Sequence, residues 1–233
     1  MDKNIEKNYW SDFWLNYNVS ENKDLQSQVF RTRNNLPISN DQWVETLIDV
    51  RKKLELKSDD LLLDLCCGNG VFAAEFSQSV GSIHAIDINN KLIETLNSMK
   101  LSNVTTQTSN INDVQYIKDS YSKILWYAGI QYLDYSSVVD LAFKLGQALK
   151  KDGILLIGDI PDSDKLWNYF NTPERQEAYF AGIKTNSPII GTWFEKSWIY
   201  NLFKQAGFRD IHTNDQSNNL IYSDFRFDLI AKI

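Results

Sequence analysis

The sequence predicts an α/β fold built on a doubly wound, mainly parallel sheet, and two features of its texture carry that prediction. Short apolar runs at Leu61–Cys66, Ser82–Ile88, Val104–Thr108, Lys123–Ala128 and Gly153–Ile160 alternate with stretches of helical periodicity. Val104–Thr108 apart, where Val and Thr mark the strand, the runs are predominantly apolar, as strands must be when helices cover both faces of their sheet. Parallel neighbours need crossover connections, so the alternation specifies the sheet.

Taken in order, Trp10, Phe13, Trp14 and Tyr17 recur at the spacing of one helical face and predict an amphipathic helix within the first twenty residues. A polar stretch from Ser20 to Asn35 follows. Ser39 as N-cap with Gln42 three positions later forms a capping box, so a helix should run over Asn40–Leu54. Between the strands, periodic stretches predict helices at Val71–Ser79, Lys91–Met99 and Ser136–Leu149. After Pro161 the alternation breaks. Asp162–Trp193 is rich in aromatic residues, has no clean strand and follows a strand's carboxyl end, which marks it as a lid over a ligand site. A helix at Glu195–Ala206, stopped by Gly207, and strands at Phe208–His212 and Phe225–Ala231 complete the chain. The expected organisation is an N-terminal helical cover (1–45), an α/β core (46–160), a lid insertion (161–195) and a C-terminal helix and strands completing the core (196–233).

With 233 residues, 43% of them apolar, the chain is long enough to bury roughly 70% of its unfolded surface around a full core. Its formal charge of -6, with no local basic cluster, argues against nucleic acid or an anionic membrane as the main partner. No apolar run approaches a membrane span, and the N-terminus lacks the apolar core of a secretory signal. Cys66 and Cys67 are adjacent and are the only cysteines, so a reducing, cytoplasmic setting is expected.

The chemistry concentrates in Leu61 to Phe72, where an apolar strand carrying Asp64 runs into Gly68-Asn69-Gly70 and then a helix. Glycines at alternate positions permit a tight turn and a close backbone approach to a ligand. Asp87 ends the next strand, seventeen positions after Gly70, where a carboxylate can accept both hydroxyls of a ribose. The plainer alternative is a strand-to-helix turn followed by a helix cap at Asp87. The ordered succession of strand, glycines, helix and acid favours a nucleoside site instead. Gly68-x-Gly70-x-x-Ala73 also fits a relaxed dinucleotide fingerprint, so an NAD(P)-dependent oxidoreductase and a non-catalytic nucleoside-binding module are the competing readings. Against NAD stand Asp64, placed to face a ligand's ammonium, and Asn110-Ile111, suited to reading an adenine edge and packing on its ring.

These residues together resemble the class I S-adenosylmethionine-dependent methyltransferases. The resemblance covers about Leu54 to Leu149 and, more loosely, the terminal strands. It implies a Rossmann-like sheet with an antiparallel C-terminal strand, and S-adenosyl-L-methionine as cofactor. Asp64, Gly68 and Gly70 would hold its methionine part, Asp87 its ribose, and Asn110 and Ile111 its adenine, with Tyr127 completing the cofactor set. The family more often has Asp where Asn110 stands.

Methyl transfer is an in-line displacement, so the protein's main task is to align the acceptor, and a hydroxyl acceptor also needs a base. His84 and His212 lie in strands and read as structural. Asp159 and Tyr132, at the ends of the fifth and fourth strands, are the catalytic candidates, although Asp159 can instead cap a turn and Tyr132 can be packed core. Gln131 joins the substrate set, as do Arg31 and Arg33, which can pair with the cofactor carboxylate or an anionic substrate. The fourth strand ends in Trp126-Tyr127-Ala128-Gly129 and lacks the Asn/Asp-Pro-Pro-Tyr/Phe motif of the family's amino-methylating nucleic-acid and peptide-glutamine enzymes. A small molecule is therefore the expected acceptor. The layout is similar to bacterial small-molecule methyltransferases such as those acting on sugars. No His/Asp cluster suggests a metal.

Overall fold

The structure, a computed structural model, describes residues 9–19 and 23–233. Helix α1 (Tyr9–Asn16) carries the predicted aromatic face, while the remainder of that expectation, residues 1–8, lies outside the described residues. The polar stretch that follows holds a short helix, α2 (Leu25–Gln28), capped by Asp24, and a hairpin of β1 (Thr32–Arg33) and β2 (Leu36–Pro37). Asn34 and Asn35 turn that hairpin with φ of 52° and 61°, the left-handed pair that asparagine tolerates best after glycine. Helix α3 (Asn40–Leu54) begins at the expected capping box, with both reciprocal bonds formed. It runs unbroken through position 45, where the sequence placed the end of the cover.

The core alternates as anticipated: β3 (Leu61–Leu65), α4 (Val71–Phe76), β4 (Ser82–Asp87), α5 (Asn90–Ser98), β5 (Val104–Thr108), β6 (Tyr121–Tyr127), α6 (Tyr135–Ala148) and β7 (Leu149–Pro161). Two short helices, α7 (Leu166–Tyr169) and α8 (Pro173–Lys184), make up most of the aromatic insertion. Then come α9 (Lys196–Gln205), β8 (Arg209–Asp215) and β9 (Arg226–Lys232). Gly207, with φ of 97°, stops α9 as expected. The main differences are at ends: α4 closes at Phe76 rather than Ser79, and β6 and β7 begin earlier because Tyr121 pairs with Leu149 ahead of a register shift.

Seven strands form one sheet in the order β5-β4-β3-β6-β7-β9-β8, parallel except for β9, which enters antiparallel between β7 and β8. Its two faces carry separate apolar layers. Leu62, Leu125 and Leu156 pack under α3, α4 and α5, whereas Leu63, Trp126 and Leu155 pack under α6 and α9. Chain order reverses between β3 and β6, and the carboxyl ends beside that point are where such sheets bind ligands.

Candidate active site

A cavity of about 810 Å³ opens over the carboxyl ends of β3, β4, β6 and β7, roofed by the N-terminal segment and the insertion after β7. Among the non-glycine residues on its wall with left-handed backbone, three stand on or directly after strands of the main sheet: Cys66 after β3 (φ 56°), Ala128 after β6 (54°) and Asp159 in β7 (66°). Such conformations cost about 1 to 3 kcal/mol each and concentrate where a structure must aim side chains. Cys66 is accommodated because Gly129 faces it; a Cβ there would lie 2.8 Å from the Cys66 sulfur. Asp159 sits in the irregularity between Ile157 and Ile160, a bulge that re-aims its side chain.

The sequence-derived nucleoside residues gather in one half of this cavity. Gly68 lines it at φ 57°. Asp87, 7% exposed, accepts the Gly68 N–H on one oxygen and the Asn89 N–H on the other, both at 2.8 Å. Each oxygen keeps one acceptor site, which is what a ribose diol requires. Burial raises its pKa, and those backbone donors pull the other way. Asn110 and Ile111 line the same half; the Asn110 side-chain oxygen Oδ1 accepts the Asn112 N–H at 3.0 Å, which fixes the turn after β5. Tyr127 is 7% exposed and stacks under the Arg31 guanidinium, 4.8 Å from its centroid.

Two residues of that set stand elsewhere. Gly70 does not line the cavity: at φ 80°, its missing Cβ makes room for Leu96 of α5, so it serves helix packing rather than approach to a ligand. Asp64 is 2% exposed and behind the loop, with one oxygen lacking any hydrogen-bond partner. Burial, then the charge of Asp87, pushes its pKa to about 8.

The other half is assembled from distant segments. Asp159 is 2% exposed; one oxygen accepts from Gln216 Nε2 at 3.2 Å, and the other is buried without a partner. Its backbone N–H donates to Asp228, which also takes Gln216 Nε2 and Lys53 Nζ, so a buried polar network behind the sheet holds it. Desolvation raises the Asp159 pKa against the pull of Arg226 and Arg31. Tyr132 lines the cavity beside Trp10 and Trp14, at ring distances of 5.0 and 5.2 Å, and burial moves its phenol up to about 12. It stays protonated at neutral pH, a hydrogen-bond donor rather than a base. Gln131 also faces the cavity, its Nε2 donating to the Ala128 carbonyl at 2.8 Å. Neither histidine lines the cavity: His84 Nδ1 bonds the Tyr121 hydroxyl at 2.8 Å, and His212 is on the exposed strand β8 beside Asp210.

Four residues without a signal in the sequence also shape the site. Asn69 Nδ2 donates to the Leu25 carbonyl and to Gln28 Oε1, both at 2.9 Å, while Asn89 Nδ2 donates to the carbonyls of Trp14 and Tyr17 at 2.7 and 2.9 Å. These asparagines tie the N-terminal segment over the glycine loop. Arg175 and Arg226 enter from α8 and β9.

A family model described as a methyltransferase domain matches residues 62–153, the stretch from β3 into β7. That stretch is a methyltransferase domain, similar to those of the class I S-adenosylmethionine-dependent enzymes. Solved structures share the fold of the chain at low identity. An S-adenosylmethionine-dependent methyltransferase from Methanosarcina mazei is 16% identical, with a TM-score of 0.59, over 76% of this chain and 93% of that one. A candidate exported protein from Bordetella parapertussis is 15% identical with a TM-score of 0.65, over 97% and 78%. The phosphoethanolamine N-methyltransferase 2 of Haemonchus contortus, solved with phosphomonomethylethanolamine and S-adenosylhomocysteine, is 16% identical with a TM-score of 0.60, over 82% and 52%. No curated protein matches the chain. Among the described residues no helix is long and apolar enough to cross a membrane, and no group of His, Cys, Asp or Glu is arranged to hold a metal.

Proposed function

We propose that this methyltransferase acts on a hydroxyl or amine of a small, sugar-like metabolite, with Asp159 as the residue that takes the acceptor's proton. The observation that carries the reading is the buried, unpartnered Asp159 oxygen on the wall of a cavity whose other half holds Asp87 and Gly68. When bound, S-adenosyl-L-methionine supplies a methyl group on a sulfonium, open to in-line displacement.

The cofactor fits the residues present. Asp87 has spare acceptor sites for the ribose, Ile111 and Asn110 border the place for the adenine, and Gly68 presents bare backbone to the cavity, where a Cβ would lie 2.8 Å from Val29 Cγ1. Arg31 is 6% exposed among the rings of Trp43, Phe72 and Tyr127, and its buried Nε has no partner, which suits the methionine carboxylate. The acceptor then belongs beside Asp159, Tyr132 and Gln131. The Tyr132 hydroxyl donates to the acceptor oxygen or a neighbouring group, and the roofing aromatics exclude water. A desolvated carboxylate with a raised pKa is a stronger base than an exposed one, so activity rises with pH as Asp159 ionises. The roofed cavity, with its mixed polar and apolar lining, suits a metabolite better than a polymer, with no role for nucleic acid or membrane. Two free, adjacent thiols agree with a cytoplasmic setting. The segments at 9–36 and 162–193 act as covers.

Transfer of a labelled methyl group into fractions of metabolites, RNA and protein tests the substrate class; label confined to macromolecules overturns it. Asp159→Asn should lower kcat by about 10² to 10⁴ while cofactor affinity stays near that of the parent. An unchanged kcat removes Asp159 from catalysis.

A further inference from the structure

We propose that the acceptor is an anion, bearing a carboxylate or phosphate that Arg33, Arg175 and Arg226 hold at the acceptor end of the cavity; this rests on the methyltransferase reading of the same site. The chain is acidic overall, yet four of its arginines, Arg31, Arg33, Arg175 and Arg226, line this cavity, and no lysine of the described residues does. A planar guanidinium offers paired donors that match carboxylate and phosphate oxygens, whereas lysine is a point charge.

The three arginines away from the cofactor half are all tethered through backbone carbonyls. Arg33 Nη1 donates to the Ile221 carbonyl at 2.6 Å, Arg175 Nη1 to that of Tyr169 at 2.9 Å, and Arg226 Nη1 to that of Asp159. Carbonyls orient a guanidinium and leave its charge unneutralised. Aromatic faces brace two of them: Arg175 lies 4.9 Å from the Tyr169 centroid, and Arg226 5.4 and 5.2 Å from those of Tyr222 and Phe225.

Arg226 decides the matter because it is 5% exposed and its Nε is buried with no hydrogen-bond partner. Asp159 Oδ1 stands 4.0 Å from that Nε, beyond a hydrogen bond. Asp224, the other acid on this side, is exposed and makes no ion pair among the described residues; its carbonyl accepts from Asn168. A buried, incompletely paired guanidinium is costly unless a ligand completes it. An acceptor anion placed there would hold a neighbouring hydroxyl or amine within reach of Asp159, so the same contact would supply affinity and alignment.

The test uses the full chain. Calorimetry with S-adenosylhomocysteine comes first; failure to bind overturns the methyltransferase reading of the cavity, and the anion site with it. On protein saturated with that product, whose own carboxylate then occupies the Arg31 position, inorganic phosphate and acetate are titrated separately at constant ionic strength in chloride. Either should raise the unfolding midpoint by about 2 to 4 °C once at roughly ten times its Kd, and whichever does so identifies the anion. Arg175→Gln, at a half-buried position on α8, should abolish the shift while S-adenosylhomocysteine affinity stays within about twofold. Arg226→Lys should weaken it at least tenfold through loss of the planar fork; if that variant fails to fold, Arg175→Gln still decides. No shift with either anion in the product-saturated parent, or an undiminished shift in Arg175→Gln, overturns the proposal.

Discussion

The two halves of the cavity are built in opposite ways. The half proposed for the cofactor comes mainly from one run, Gly68 to Ile111, whose contributing residues end or follow strands of a local β–α–β succession, with Tyr127 from the end of β6 and Arg31 from the N-terminal segment added to it. The other half takes Arg33 from a hairpin, Asp159 from a bulge, Arg175 from a helix in the insertion and Arg226 from the antiparallel strand. A site made from one run is constrained as a unit by the fold. A site made from separate segments can change piece by piece, which is how one fold carries many substrates.

The largest expected effect that separates the halves is on affinity. Asp87→Ala removes the acceptor of two backbone N–H bonds as well as the proposed ribose partner. With charge-assisted bonds worth about 1.5 to 3 kcal/mol each, calorimetry should show S-adenosylhomocysteine binding weakened roughly 100-fold or more. Arg175→Gln should leave that affinity alone. Equal losses in both variants would mean that the halves are not separable.

The two glycines of the loop sharpen the comparison further. Gly70→Ala forces a side chain into the left-handed region and against Leu96, so it should cost about 1 to 3 kcal/mol of stability in denaturant melts. Gly68→Ala faces Val29 Cγ1 at 2.8 Å, in the N-terminal segment over the cavity, and should be felt more in cofactor binding than in stability. The reverse ranking would contradict the division of labour drawn here.

What could be read from the sequence follows the same line. Ser39 and Gln42 mark the start of α3 because a capping box is a contact between near neighbours, and apolar runs mark β3, β4, β6 and β7 because burial leaves a local signature, whereas the edge strand β5, with no buried residue, is marked only by its Val and Thr content. Gly68 and Asp87 were legible since the turn and the strand end fix their separation. Arg175 and Arg226 were not, because no spacing rule connects a helix after β7 to a strand that returns from the far side of the sheet. The roles of Asn69 and Asn89 were equally hidden: each reads as a turn residue or cap, and only the packed chain shows their amides reaching back to the first thirty residues. Asp64 was visible as an acid, but whether it carries charge depends on burial that sequence does not display.

That burial gives a pH signature. With its folded pKa near 8 against an ordinary value of 3.8, Asp64 takes up a proton on folding, so its effect on stability is absent below about pH 4 and grows more unfavourable as the pH rises to 8. The stability of Asp64→Asn relative to the parent, both without cofactor, should therefore increase by up to about 1.4 kcal/mol per pH unit across that window. Thermal or urea melts at pH 5, 6.5 and 8 would measure it. A difference independent of pH would mean that Asp64 is ionised in the folded protein.

The smallest effect concerns the covers, which differ as the halves beneath them do. The N-terminal segment is held by side-chain amides, Asn69 to Leu25 and Gln28 and Asn89 to Trp14 and Tyr17, all anchored on the proposed cofactor half. The insertion instead packs through an apolar cluster of Phe170, Trp193 and Phe225, and Thr192 bonds the carbonyls of Gln131 and Leu133 on the acceptor side. Polar latches of this kind contribute about 1 kcal/mol each, and an apolar cluster does not depend on them. Asn69→Ala should speed amide exchange in residues 25–31 by roughly tenfold and leave residues 163–193 unchanged. S-adenosylhomocysteine alone should slow exchange mainly in the N-terminal segment, whereas slowing of the insertion should require an anion at the acceptor end as well. Uniform protection of both segments by the product alone would show that the covers respond as one body, and the correspondence between each cover and the half beneath it would fail.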